Sequence, residues 1–217
     1  ERLKATGSMG IAVATSKSPQ GPFHVLGKPL MHDGGYIDVD PFVLRDAQGR
    51  LLIYWGSDRA PIRVQRLSRD GRTLVGSART ALAPSSATTY DDLVEGPSVI
   101  RHRGLYFMFY SGDRCCGPDA HYAELVARSR SAMGPFQRPQ TNPMIVANHY
   151  FNAPGHGTVF RDDSGAYFIL YHAMEKSDAN HLRYLMLDRI RWKNGWPVVN
   201  GGNGPTRAPQ PRPVVGT

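Results

Sequence analysis

Three times in this chain an ionisable residue stands nine positions before a turn-forming glycine: Asp40 before Gly49, Glu95 before Gly104 and His156 before Gly165. Each glycine is followed by an apolar, aromatic run that ends near Tyr54, Tyr110 or Tyr171. The three units start 55 and then 61 residues apart, a period that suits the four-stranded blades of a β-propeller. Equivalent positions of successive blades converge on the axis of such a fold, so the register predicts that Asp40, Glu95 and His156 project into one shared well. A β-sandwich would not by itself require an ionisable group at the same place in three units.

Other patterns point the same way. Short apolar runs recur at residues 11–14, 51–55, 62–67, 105–110, 125–127, 167–171 and 182–190. They are rich in β-branched and aromatic residues, bounded by Gly, Pro, Asp or Ser, and too short for core helices. Turn signals such as Asp46-Ala47-Gln48-Gly49, Asp70-Gly71 and Asp162-Asp163-Ser164-Gly165 sit where hairpins reverse. The segment Val13–Phe23 matches Val126–Phe136 at seven of eleven positions. The chain therefore reads as all-β, and its 217 residues as one propeller domain, 1–217, of about four blades.

Charge and cysteine content exclude several classes. The net charge of +8 invites a nucleic-acid reading, but only five of the 26 basic residues are Lys and the Arg residues are scattered without a block or stripe. That distribution argues against a phosphate-tracking surface. No apolar run approaches a membrane span, and the opening segment 1–10 lacks the apolar core of a leader. Cys115 and Cys116 are neighbours, so they are expected to shape a local loop rather than to staple the chain or hold zinc.

Two carboxylates and an imidazole facing one cavity can run glycosidic bond hydrolysis, in which one acid protonates the leaving oxygen and another carboxylate activates water. Glu95 is one candidate carboxylate and Asp40 the other. Asp38, two residues earlier, is its substitute should the register slip. His156 is the candidate metal ligand, ahead of His172 and His121. Trp55, Phe42, Tyr36 and Phe151 are candidate sugar-stacking residues, since sugar rings pack their C–H faces on aromatic side chains. Arg183 could bind sugar hydroxyls or hold Glu95. Asp46, Asp162 and Asp163 are expected to be solvated turn residues.

These motifs together resemble glycoside hydrolase family 43, the five-bladed propeller arabinanases, arabinofuranosidases and β-xylosidases. Asp40-Pro41-Phe42, running on to Leu51–Gly56, resembles the segment of the aspartate that tunes the catalytic acid. Glu95-Gly96-Pro97, followed by Tyr106–Ser111, resembles the segment of the acid itself. Cys115-Cys116-Gly117, with Val126–Ser129 and Gly134-Pro135-Phe136, is similar to the arabinanase-like branch. Gly155-His156-Gly157 resembles the histidine that in that branch helps hold an axial calcium ion or its waters. Arg183, with Trp192 and Asn194-Gly195-Trp196-Pro197, resembles the last blade and its substrate-facing arginine. The resemblance implies an inverting hydrolase of arabinofuranosyl or xylosyl linkages in plant polysaccharide, one calcium ion, an oligo- or polysaccharide partner and a secreted enzyme. It also implies a general-base aspartate on a first blade. No Asp precedes residue 33, so that blade is expected to be missing or incomplete here, leaving a non-catalytic glycan-binding propeller or a truncated inactive relative as the alternative.

Overall fold

The computed structural model describes residues 9–32 and 35–216. Most of the segment read for a leader, residues 1–8, lies outside them. The described residues form thirteen strands and one short 3₁₀ turn, and none of their elements is an α-helix long enough to cross a membrane. A two-stranded sheet pairs β1 (Ala14–Thr15) with β2 (His24–Val25). A four-stranded antiparallel sheet follows, made of β3 (Phe42–Arg45), β4 (Leu51–Trp55), β5 (Ile62–Leu67) and β6 (Leu74–Leu82). The next sheet has three strands, β7 (Val94–His102), β8 (Leu105–Arg114) and β9 (His121–Ser129), and the last has four, β10 (Phe151–Arg161), β11 (Tyr167–Glu175), β12 (Arg183–Lys193) and β13 (Trp196–Val199). Within each sheet the strands pair in chain order, the up-and-down arrangement of a blade. Where the sequence suggests about four blades, the described residues give three large sheets and a two-stranded one.

Strand β8 explains why the sheets stack. Its sequence Tyr106-Phe107-Met108-Phe109-Tyr110 is apolar without alternation, so both faces must be covered. Tyr106, Met108 and Tyr110 join Leu52, Tyr54, Ile62 and Val64 of the preceding sheet in one core cluster. Phe107 and Phe109 face the other way and join Val159, Ile169 and Tyr171 of the following sheet in a second. A third, smaller cluster packs Trp55 and Ile53 against Ile11.

Three buried tyrosine hydroxyls each find an acceptor: Tyr54 the carbonyl of Ala132, Tyr110 the Asp91 carboxylate, and Tyr171 the Asp188 carboxylate. The turns differ from expectation in one respect. Asp46 and Asp162 are not solvated. Each folds its carboxylate back onto its own turn, Asp46 accepting from the N–H groups of Gln48 and Arg50 and from the Arg50 side chain, Asp162 from Ala166 N–H and the Ser164 hydroxyl. That Asx-type bonding closes the hairpins around the positive-φ residues Gly49 and Gly165.

Candidate active site

Asp40, Glu95 and His156 come from three successive sheets, and each sits where regular backbone breaks. Asp40 precedes β3 with φ 56°, Gly96 follows Glu95 with φ 59°, and His156 has φ 55°. The pairing of β7 with β8 slips between Glu95 and Ser98, and that of β10 with β11 slips on both sides of Gly155. Such bulges bend a strand and re-aim its side chains. The result is convergence: one ligand atom from each of Asp40, Glu95 and His156 lies within 4.8 Å of the other two.

The His156 imidazole lies over Gly96, where a Cβ would come within 3.3 Å of Nδ1. Its Nε2 is 3.9 Å from Asp40 Oδ1. Burial raises the Asp40 carboxyl above its ordinary range; the facing His156 lowers it, the Glu95 charge raises it further and the Gly96 N–H lowers it. Both oxygens of Glu95 accept hydroxyls, Oε2 from Ser57 at 2.5 Å and Oε1 from Tyr122 at 2.5 Å. Tyr122 stays a donor because burial, followed by the Glu95 charge, pushes its phenol well up. The carboxyl is thus gripped from two sheets at once, Ser57 on the loop after β4 and Tyr122 on β9.

The remaining candidates lie elsewhere. Asp38 is buried in a bend before β3 rather than on a strand, and its Oδ1 accepts the Trp55 indole N–H at 2.9 Å. Trp55 and Phe151 are core side chains, 3% and 7% exposed. Phe42 is half-buried against the first core cluster, and Tyr36 is exposed. Arg183 is exposed, its Nη2 2.7 Å from Cys116 Sγ, while Glu95 takes its hydrogen bonds from Ser57 and Tyr122. Cys115 and Cys116 are joined in a disulfide, a local loop element. His121 pairs with Asp113 at 2.6 Å and stacks on Tyr90. His172 stacks on Tyr122, and burial, with Arg183 and His156 nearby, pulls its imidazole down to about 4.

The whole sequence fits the same picture. Residues 2–197 match the family described as glycosyl hydrolases family 43. The chain belongs to that family. Its similar proteins include a β-D-galactofuranosidase of Aspergillus niger, 28% identical over 88% of this chain and 54% of the relative. An extracellular exo-α-(1→5)-L-arabinofuranosidase of Cellvibrio japonicus is 23% identical over 91% and 63%. This family 43 chain thus spans between half and two-thirds of the length of these curated relatives. Among solved structures, a thermostable family-43 glycoside hydrolase superposes with a TM-score of 0.79 at 30% identity, covering 94% of this chain and 70% of that one. The α-L-arabinanase of Cellvibrio cellulosa superposes with a TM-score of 0.75 at 21% identity. The three large sheets are accordingly blades of the family's five-bladed β-propeller, and the chain covers part of that ring.

Three polar residues around the well escape sequence reasoning: Ser57, Tyr122 and Glu124. Ser57 and Tyr122 sit in no recognisable motif. Glu124 does leave a trace, as the single charge inside the apolar stretch Tyr122–Ala127.

Proposed function

We propose that this chain carries the acid side of a glycoside hydrolase site for arabinofuranosyl or xylosyl linkages in plant polysaccharide, acting with inversion. The observation that supports this best is the approach of Asp40, Glu95 and His156 to within 4.8 Å from three separate sheets. Glu95 is the general acid. Its carboxyl is oriented by the Ser57 and Tyr122 hydroxyls, so that its proton can be delivered to the glycosidic oxygen without a search for geometry. Asp40 is the tuning carboxylate, brought beside Glu95 by the convergence of the well. It is too close to Glu95 to be the base, because an inverting pair stands ~6.5–9.5 Å apart to admit water. The base in this reading is an aspartate of another blade, as in the family.

His156 and Asp40 are the residues that would hold an axial calcium ion. One nitrogen and one carboxylate leave most of a calcium shell to be completed by waters. Such an ion would supply positive charge and ordered water at the foot of the well. Secretion is part of the same reading, supported by the extracellular arabinofuranosidase relative.

The test is Glu95→Gln in the full-length protein. Release of reducing sugar from arabinan or xylan oligosaccharides should fall by about 100- to 10,000-fold, with the melting temperature preserved. Unchanged turnover refutes the acid assignment. Sugar binding without turnover in the parent protein would favour a glycan-binding propeller instead.

A further inference from the structure

Glu95, Ser111 and Glu124 occupy one row across the three-stranded sheet: Glu95 of β7 is paired with Ser111 of β8, and Ser111 with Glu124 of β9. Directly opposed residues share a face, so the row runs outward from the well. Glu124 at its far end is fully buried, with no cation against it in any described contact. Its Oε2 accepts the Ser111 hydroxyl at 2.9 Å and the Gly157 N–H at 3.1 Å, while Oε1 has no partner. Ser111 Oγ in turn accepts the His156 N–H at 2.6 Å. Two residues from Glu124 on the same strand face is Tyr122, the donor to Glu95.

The following sheet is shaped to close on this row. A Cβ on Gly155 would lie 2.4 Å from Tyr122 Cδ1, and one on Gly157 would lie 2.8 Å from Glu124 Oε1. The bare glycines on either side of His156 therefore let β10 press its backbone onto Tyr122, Ser111 and Glu124. Desolvation raises the Glu124 carboxyl to about 8, so at neutral pH it is mainly an uncharged acceptor rather than a buried anion.

We propose that Glu124 and Ser111 are positioning residues for the acid: they fix the His156–Gly157 backbone against β8 and β9 and thereby hold Tyr122, and through it Glu95, in the geometry that delivers a proton. This rests on the reading of Glu95 as general acid. It adds a buried carboxyl that never touches substrate. A positioning role has a chemical signature that a merely structural one lacks. A dinitrophenolate leaves without protonation, whereas a sugar alkoxide does not, so a misplaced acid harms only the second class of substrate.

The experiment compares arabino- and xylo-oligosaccharides with dinitrophenyl arabinofuranoside and xyloside in the full-length protein, for the variants E124L, E124Q, S111A and E95Q. For E124L we expect kcat on oligosaccharides to fall about 100-fold, the scale of an ~1 Å misplacement, while kcat on the aryl glycosides changes by less than about threefold. E124Q keeps an acceptor oxygen and should recover most of that loss. Equal losses on both substrate classes, or none, overturn the proposal. If E124L fails to fold, S111A, which removes a single hydroxyl, is read by the same criterion. E95Q separates the two ideas: if it lacks the leaving-group signature, the acid assignment falls and takes the positioning role with it. If E95Q has the signature and folded E124L and S111A lack it, the acid stands and the positioning role alone is wrong.

Discussion

Strand β8 pairs with β9 through nine consecutive residues without a slip, whereas β7 beside it skips between Glu95 and Ser98, and β10 skips twice between Asn152 and Thr158. The regular strand is filled with Tyr, Phe and Met packed on both faces. The irregular ones carry Gly96-Pro97 and Pro154-Gly155-His156-Gly157 and deliver the side chains of the well. The ionisable groups of the well thus sit at breaks in the backbone, while the regular strands supply most of the packing and the hydroxyls that hold those groups. A bulge costs ladder hydrogen bonds, but it turns a side chain out of the pleat toward the axis, and the adjacent unbroken strand supplies the burial that keeps it there.

The comparison is broken most forcefully from the packing side. Phe109→Ala removes a fully buried ring from the second core cluster and should destabilise the protein by about 3–5 kcal/mol, read by chemical denaturation. Turnover per folded molecule should stay within about threefold of the parent. A tenfold drop in the folded population would mean that the middle strand shapes the site as well as supporting it.

A smaller effect probes the seam between the two strand types. Gly157→Ala puts a methyl 2.6 Å from Ile169 Cδ1 and 2.8 Å from Glu124 Oε1. Overpacking of that kind should lower stability by about 1–3 kcal/mol, and a calorimetric melting temperature equal to that of the parent would show that the close approach of β10 is not needed.

The last effect is spread over several pH units. The Glu124 carboxyl titrates near 4.5 when unfolded and is raised to about 8 in the fold by burial. A raised acid binds its proton in the native state while the unfolded chain has lost it, so its contribution is fully present below 4.5 and declines as pH rises toward 8. Stability should therefore fall by roughly 1 kcal/mol per pH unit across that window, and Glu124→Gln should abolish this component. A parent protein whose stability rises steadily from pH 5 to 8, with the Gln variant parallel to it, would place the carboxyl in contact with water or a cation.

The middle strands were legible because their signal is composition over consecutive residues: Leu51–Trp55 and Ile62–Leu67 are read in sequence with the bounds that the fold gives them. The inner strands of the next two sheets were not. Val94–His102 and Phe151–Arg161 contain Gly and Pro at the positions where pairing slips, and to a periodicity argument those residues look like loop. The axial residues of the same strands were found by a different route, the nine-residue distance to a turn glycine, which survives a bulge. What no local pattern could supply is the set of contacts made across sheets. Trp55 near a strand end looks like a stacking platform until Ile11, a distant residue, is seen packed in the same cluster. Ser57 becomes a partner of Glu95 only when two blades are brought together.

The left-handed backbone at Asp40 and His156 bears on how this well can be altered. Branched side chains such as Val, Ile and Thr are strained at positive φ, and Gly96 adds a third such position directly under the imidazole. Saturation libraries aimed at the well floor would therefore lose their branched members first. An engineer seeking a new sugar preference has more freedom at Arg183 itself, an exposed residue of β12 whose extended backbone accepts any side chain.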